Sequence, residues 1–179
     1  MNGDEDIFAS GGARLTGVEG VVGNCTFYLN LGNGLSVDDS ELIIYNGEYD
    51  QNRDYGLRVV GDSVDWIVDA EAVVHANDVT FAGEIVICGT LVLDYVDDFV
   101  LLADDDVVNG IYDGYARLVV AEGGCLEAYN SWLYSDDGRW YFDVYGSMLM
   151  TNCVVEDAYE VYLASSDVEM TTTTVKYAY

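Results

Sequence analysis

The chain has 179 residues, with 33 Asp and Glu against 6 Lys and Arg, and a formal net charge of −27 at pH 7. This charge excludes nucleic acid as a partner, because phosphate binding needs basic patches, and it opposes anionic lipid surfaces. With 51% hydrophobic residues and 15 Tyr, the chain can bury a core and does not read as disordered.

The opening MNGDEDIFASGG is short and polar, and residues 1–24 read as an N-terminal cap or arm. They carry neither the basic nor the apolar region of a signal peptide. An extracellular or cell-surface location therefore implies a mature or trimmed form, and the alternative is the cytoplasm. Asn24-Cys25-Thr26 fits the N-glycosylation pattern. From Cys25 onward, runs rich in β-branched and aromatic residues alternate with Gly, Asn, Asp and Ser. They fall at 25–31, 41–46, 64–69, 84–88, 90–95, 98–103, 116–121, 140–145 and 160–164. No capped stripe of helical period stands out, and no run of about 18 apolar residues suits a membrane helix.

The runs repeat. Shifting LVVAEGGCLEAYNSWLYS by 22 residues puts Leu126 over Met148, Asn130 over Asn152 and Leu133 over Val155. A further shift of about 20 brings Val168, Thr172 and Val175 into the same columns. A shift of 53 aligns Val73 with Leu126 and Asn77-Asp78 with Asn130-Ser131, and a shift of 91 gives Leu35 and Asp39-Ser40 those roles. Residues 83–95 form a looser copy with Leu91 inward. The small turns are then corners of a coil, and each strand pairs in parallel with its copy about 4.8 Å away. The expected fold is all-β, a single-stranded right-handed parallel β-helix (β-solenoid) with coils of about 20–22 residues. It spans residues 25–179, with loop insertions near 47–60 and 104–115. The alternative is a β-sandwich, whose short strands recur with similar turn signals.

The pattern L-x-V-x-x-G-G-x-L-x-x-x-N-S-x-L, best seen at Leu118–Leu133, resembles the parallel β-helix repeats of microbial and archaeal surface proteins. In composition the chain is loosely similar to methanogen sheath and surface-layer proteins. That resemblance implies an architecture and carries no activity. It also resembles, less regularly, cytoplasmic polymers of the bactofilin type.

No catalytic constellation emerges. The Asp97, Asp98 and Asp104–Asp106 carboxylates, with Arg117 or Arg139 as the cation, are the nearest approach to a polysaccharide lyase or hydrolase site. A run of Asp in so acidic a chain reads first as a solvated loop. His75 has no nucleophile at a recognisable spacing. Asp104, Asp105 and Asp106 are the candidate cation ligands, and Ca²⁺ is the cofactor such carboxylates fit, though EF-hand and nonapeptide spacings are absent. Cys25, Cys88, Cys125 and Cys153 allow two disulfides or intersubunit links, and lack zinc spacing.

Strand character persists through VEMTTTTVKYAY. Thr171, Thr172, Thr173, Thr174, Tyr177 and Tyr179 are therefore the expected assembly interface, since an uncovered strand edge recruits another chain. The functional expectation is a self-assembling structural protein, partnered with itself in a filament, sheath or envelope layer. The alternative is a secreted carbohydrate-active or glycan-binding β-helix that uses Trp132, Trp140 and exposed Tyr residues.

Overall fold

The structure, a computed structural model, describes residues 12–38, 40–60, 64–102, 107–108, 111–112, 115–135 and 140–176. Among these there is no helix. The strands form a parallel β-solenoid with three faces. Face 1 is an 8-stranded parallel sheet whose strands begin at Ala13, Leu35, Tyr55, Asp78, Phe99, Trp132, Val154 and Thr174. Faces 2 and 3 belong to one 12-stranded sheet, because Glu41–Asp50 and Val64–His75 run unbroken around the corner between them.

Alternation decides which side chains enter the core. On face 1, Leu35, Leu57, Val79, Phe99, Leu133, Val155 and Val175 form one inward column through successive registers. Face 2 contributes Ile44, Trp66, Ile85, Leu118, Phe142 and Val161. Face 3 contributes Phe27, Tyr49, Val74, Leu93, Ala128, Met150 and Met170. Trp66 is fully buried, and its indole N–H donates to the Asn46 carbonyl at 3.0 Å. Tyr49 meets it edge-on at 5.9 Å. Each column residue packs against the coil above and below, so the fold is held by nearest-neighbour contacts.

The corner from face 3 to face 1 repeats one backbone state. Leu29, Gln51, Ala76, Tyr95, Asn130, Asn152 and Thr172 all have φ between 48° and 56°. The residue after each turns inward. In the first coils it is Asn30, Asn52 or Asn77, joined in a buried amide ladder. Asn30 Nδ2 donates to Asn52 Oδ1 at 2.7 Å, Asn52 Nδ2 to Asn77 Oδ1 at 2.8 Å, and Asn77 Nδ2 to the Asn52 carbonyl at 2.7 Å. In later coils Ser131, Cys153 and Thr173 stand there. Each donates to the carbonyl two residues back, at 2.8, 3.3 and 3.2 Å. These bonds satisfy backbone groups that a tight interior corner would otherwise leave unpaired.

Several expectations are corrected. The solenoid does not wait for residue 25: Ala13–Thr16, Glu19–Gly23 and Thr26–Tyr28 already form a coil. Residues 47–60 are not a loop insertion. They complete Glu41–Asp50 and form Tyr55–Val60, and Tyr49 is only 1% exposed. The second insertion holds a small antiparallel pairing, Val107–Val108 with Ile111–Tyr112. At the 53-residue shift the register slips by one. Ala72, not Val73, stands in the Leu126 column, through Leu91. Leu35 lies on face 1, in line with Leu133 rather than Leu126.

Candidate functional site

The two ends of the coil stack are the most exposed parts of the core. At the C-terminal end, Glu160–Leu163, Val168–Thr171 and Thr174–Val175 each pair with one strand only among the described residues. Their outer backbone groups form an open three-sided edge. Inside that edge lies an apolar cleft of about 220 Å³, lined by Phe142, Met150, Val161, Leu163 and Met170. Met170 is 43% exposed although it continues the buried column of Ala128 and Met150. At the other end, Ala13–Thr16, Glu19–Gly23 and Thr26–Tyr28 pair on one side only among the described residues. There Ala13, Leu15, Val22 and Phe27 are partly buried inward residues.

The threonine tract divides between two roles. Thr171 and Thr174 lie on terminal strands, paired to Thr151 and Val154. Thr172 holds the left-handed corner at φ 51°, and Thr173 satisfies the carbonyls of Met150 and Thr171. Tyr177 and Tyr179 lie outside the described residues, as do Asp104, Asp105, Asp106 and Arg139.

All four cysteines are free. Cys153 is buried in the corner column, where burial pushes its thiol up from its ordinary range. A thiol so placed acts as a small corner donor and is shielded from exchange. Cys88 is exposed, and Cys25 and Cys125 are half-buried.

The titratable candidates are not brought into one site. Arg117 faces outward on face 2, bound to Asp143 at 2.6 Å and 3.6 Å from Glu84. Asp98 lies at the start of face 1, where the Tyr134 hydroxyl donates to it at 3.1 Å. His75 stands between two carboxylates of adjacent coils, with Nδ1 2.8 Å from Asp50 and Nε2 3.7 Å from Asp94. Its ring thus bridges side chains of neighbouring coils. Among the described residues no group of three or more His, Cys, Asp or Glu could hold a metal ion. Trp140 is fully buried and so is no ligand platform, in contrast to the half-exposed Trp132.

Among the described residues, Asp78 is the carboxyl held above its ordinary range. Desolvation raises its pKa, against the lowering effect of the Asp98 backbone N–H, and the nearby charges of Asp98 and Asp97 raise it further. A carboxyl raised on folding binds more protons folded than unfolded, so stability falls as pH rises through that window. Asp78→Asn keeps the acceptor for Asp98 N–H and removes the charge. It is expected to raise the thermal midpoint at pH 7. The gain should vanish below the ordinary Asp range, where both variants are neutral at this position. Scanning calorimetry across pH 3–7 checks this, and an unchanged midpoint at pH 7 would count against it.

No protein-family model, no curated protein and no solved structure matches the chain.

Proposed function

We propose that this chain is a structural protein that self-assembles end to end, the edge strands of one copy adding to those of the next. The observation that carries the reading is the continuity of the inward columns to both ends. Met170 closes the face-3 column that Phe27 opens, with every intermediate register paired. A second copy stacked coil on coil would put its Phe27 over Met170, a thioether–aromatic contact, and its Ala13 over Val175. Its strands would supply the missing ladder partners on all three faces. Such a contact joins unlike ends, so it repeats without closing and yields a filament. A filament of this kind suits a sheath or envelope layer at the cell surface. The acidic sides keep neighbouring filaments apart and hydrated.

Charge tunes the contact. By the same registers Glu160 would face Val21 of the next copy, two residues from Glu19, and Glu169 would face Thr26, whose hydroxyl donates to Glu48, so like charges lie close across the contact. Salt weakens this repulsion, since the screening length falls from about 10 Å at 0.1 M to about 3 Å at 1 M. The chain is therefore expected to sediment as growing oligomers as protein concentration and salt rise. Negative-stain images should show rods lengthening. Met170→Asp blocks one end and Phe27→Asp the other. Each variant alone should be monomeric, and their mixture should stop at a dimer through the two intact ends. A wild-type chain that stays monomeric at high salt would sink the proposal. So would undiminished assembly of Met170→Asp.

A further inference from the structure

On the outer side of face 1, two coils from the C-terminal strand, Trp132 rises as a ridge between two open hollows. One, about 420 Å³, is lined by Asp97, Asp98, Asn130, Asn152 and Val154 beside the indole. The other, about 570 Å³, lies against Tyr134, Glu156, Asp157 and Lys176. Trp132 is 42% exposed, and its ring lies 5.0 Å from that of Tyr134, tilted by 37°. The strand phase explains this. Leu133 is inward, so Trp132 and Tyr134 both face out. The backbone beneath is pinned by Trp132 N–H to the Val96 carbonyl at 3.0 Å, and the Tyr134 hydroxyl is fixed on Asp98.

We infer that this ridge is a binding subsite for an uncharged oligosaccharide chain. Two adjacent aromatic faces offer an apolar surface of the size of a sugar ring, held at little entropic cost because the strand fixes both. The polar groups beside them suit hydroxyls. Asp97 and Asp98 accept from them, while the Asn130 and Asn152 amides can both donate and accept. Asn152 Nδ2 donates to Asn130 Oδ1 at 2.9 Å, which orients the pair. On the far side Lys176 holds Glu156 at 3.1 Å. Two hollows on either side of one ridge fit a chain of several sugar units better than a compact molecule. The net charge of −27 selects against uronate-bearing or sulfated polymers. The subsite lies on the side of the rod and does not depend on end-to-end assembly.

The tryptophans make the test selective. Trp66 and Trp140 are fully buried, so acrylamide quenching of the intact protein reports chiefly on Trp132. The probes are cellohexaose, maltohexaose and chitohexaose, with spermidine as a cationic probe and polygalacturonate as an anionic one. At least one neutral oligosaccharide is expected to protect Trp132 from quenching. Calorimetry should then show affinity lowered roughly tenfold or more by Trp132→Ala, and less by Asp98→Asn, which keeps an acceptor. Trp132 is exposed and Asp98 half-buried, and an unchanged thermal midpoint of each variant verifies folding. Protection by spermidine alone would overturn the inference in favour of a cation site. Failure of all the neutral sugars, or equal binding by Trp132→Ala, would overturn it outright.

Discussion

Replacing Asn52 by leucine is expected to destabilise the protein by about 4 kcal/mol, read as a fall in the urea midpoint. Asn52 is the middle rung of the amide ladder. Its Oδ1 accepts from the Asn30 backbone N–H and side-chain amide, at 3.1 and 2.7 Å. Its Nδ2 donates to the Phe27 carbonyl and to Asn77 Oδ1, at 3.0 and 2.8 Å. Leucine has a similar size but makes none of these bonds. The groups left without partners in a buried corner cost about 1–3 kcal/mol each, partly relieved where a coil can open to water. Asn52 and Asn77 are both only about one-twentieth exposed, so little relief is available there. The double variant Asn52→Leu/Asn77→Leu should cost less than the two single variants added together, because each removes a partner the other has stranded. Strict additivity would show that the ladder does not act as a unit.

The second large effect separates two adjacent glycines. Gly123 has φ 86° and open space where a Cβ would go, so Gly123→Ala meets only backbone strain, about 1 kcal/mol. Gly124 lies where the chain crosses closely over the coil beneath, and a Cβ there would overlap the Ile87 carbonyl. Gly89 and Gly146 make the same close approach at the same corner of neighbouring coils, to the Ala70 and Ala121 carbonyls. The coil spacing is set by ladder hydrogen bonds on all three faces, so the carbonyl cannot retreat alone. Gly124→Ala should therefore cost about 3 kcal/mol or more. Parallel urea titrations of the two variants compare them directly. Similar midpoints would mean that this corner opens readily.

The architecture was legible wherever coils have equal length and like corners. Leu126 over Met148, and Leu133 over Val155, are true registers because the corner between them carries Asn130 and Asn152 at the same left-handed position. The 53-residue shift slipped because asparagine occupies two adjacent columns. Asn130 and Asn152 hold the left-handed corner, whereas Asn77 belongs to the inward amide column and Ala76 takes the corner. Matching Asn77 to Asn130 thus moved the strand by one residue and exchanged its faces, putting Val73 where Ala72 belongs. Leu35 was misplaced for a different reason. All three faces bury aliphatic columns, and composition alone does not distinguish one face from another. GEYDQNRDYG read as a loop because its polar residues hide one inward aromatic, Tyr49, and one buried amide, Asn52. Trp132 and Trp140 looked alike as exposed aromatics. Strand phase turns one outward and the other into the core, and that phase is fixed by pairing with neighbouring coils.

The one-coil offset has a further consequence for how such a chain changes over time. Cys125–Tyr129 lies in register on Ser147–Thr151, 22 residues on, and the Asn130 corner lies on the Asn152 corner. A segment of that length begins and ends at equivalent points on the same face. Duplicating or deleting it in a gene would leave every other coil with a neighbour of the same shape, and would change the rod by about 4.8 Å. Length is then an inheritable quantity nearly independent of fold. Selection can set it in steps of one coil, without redesigning a core.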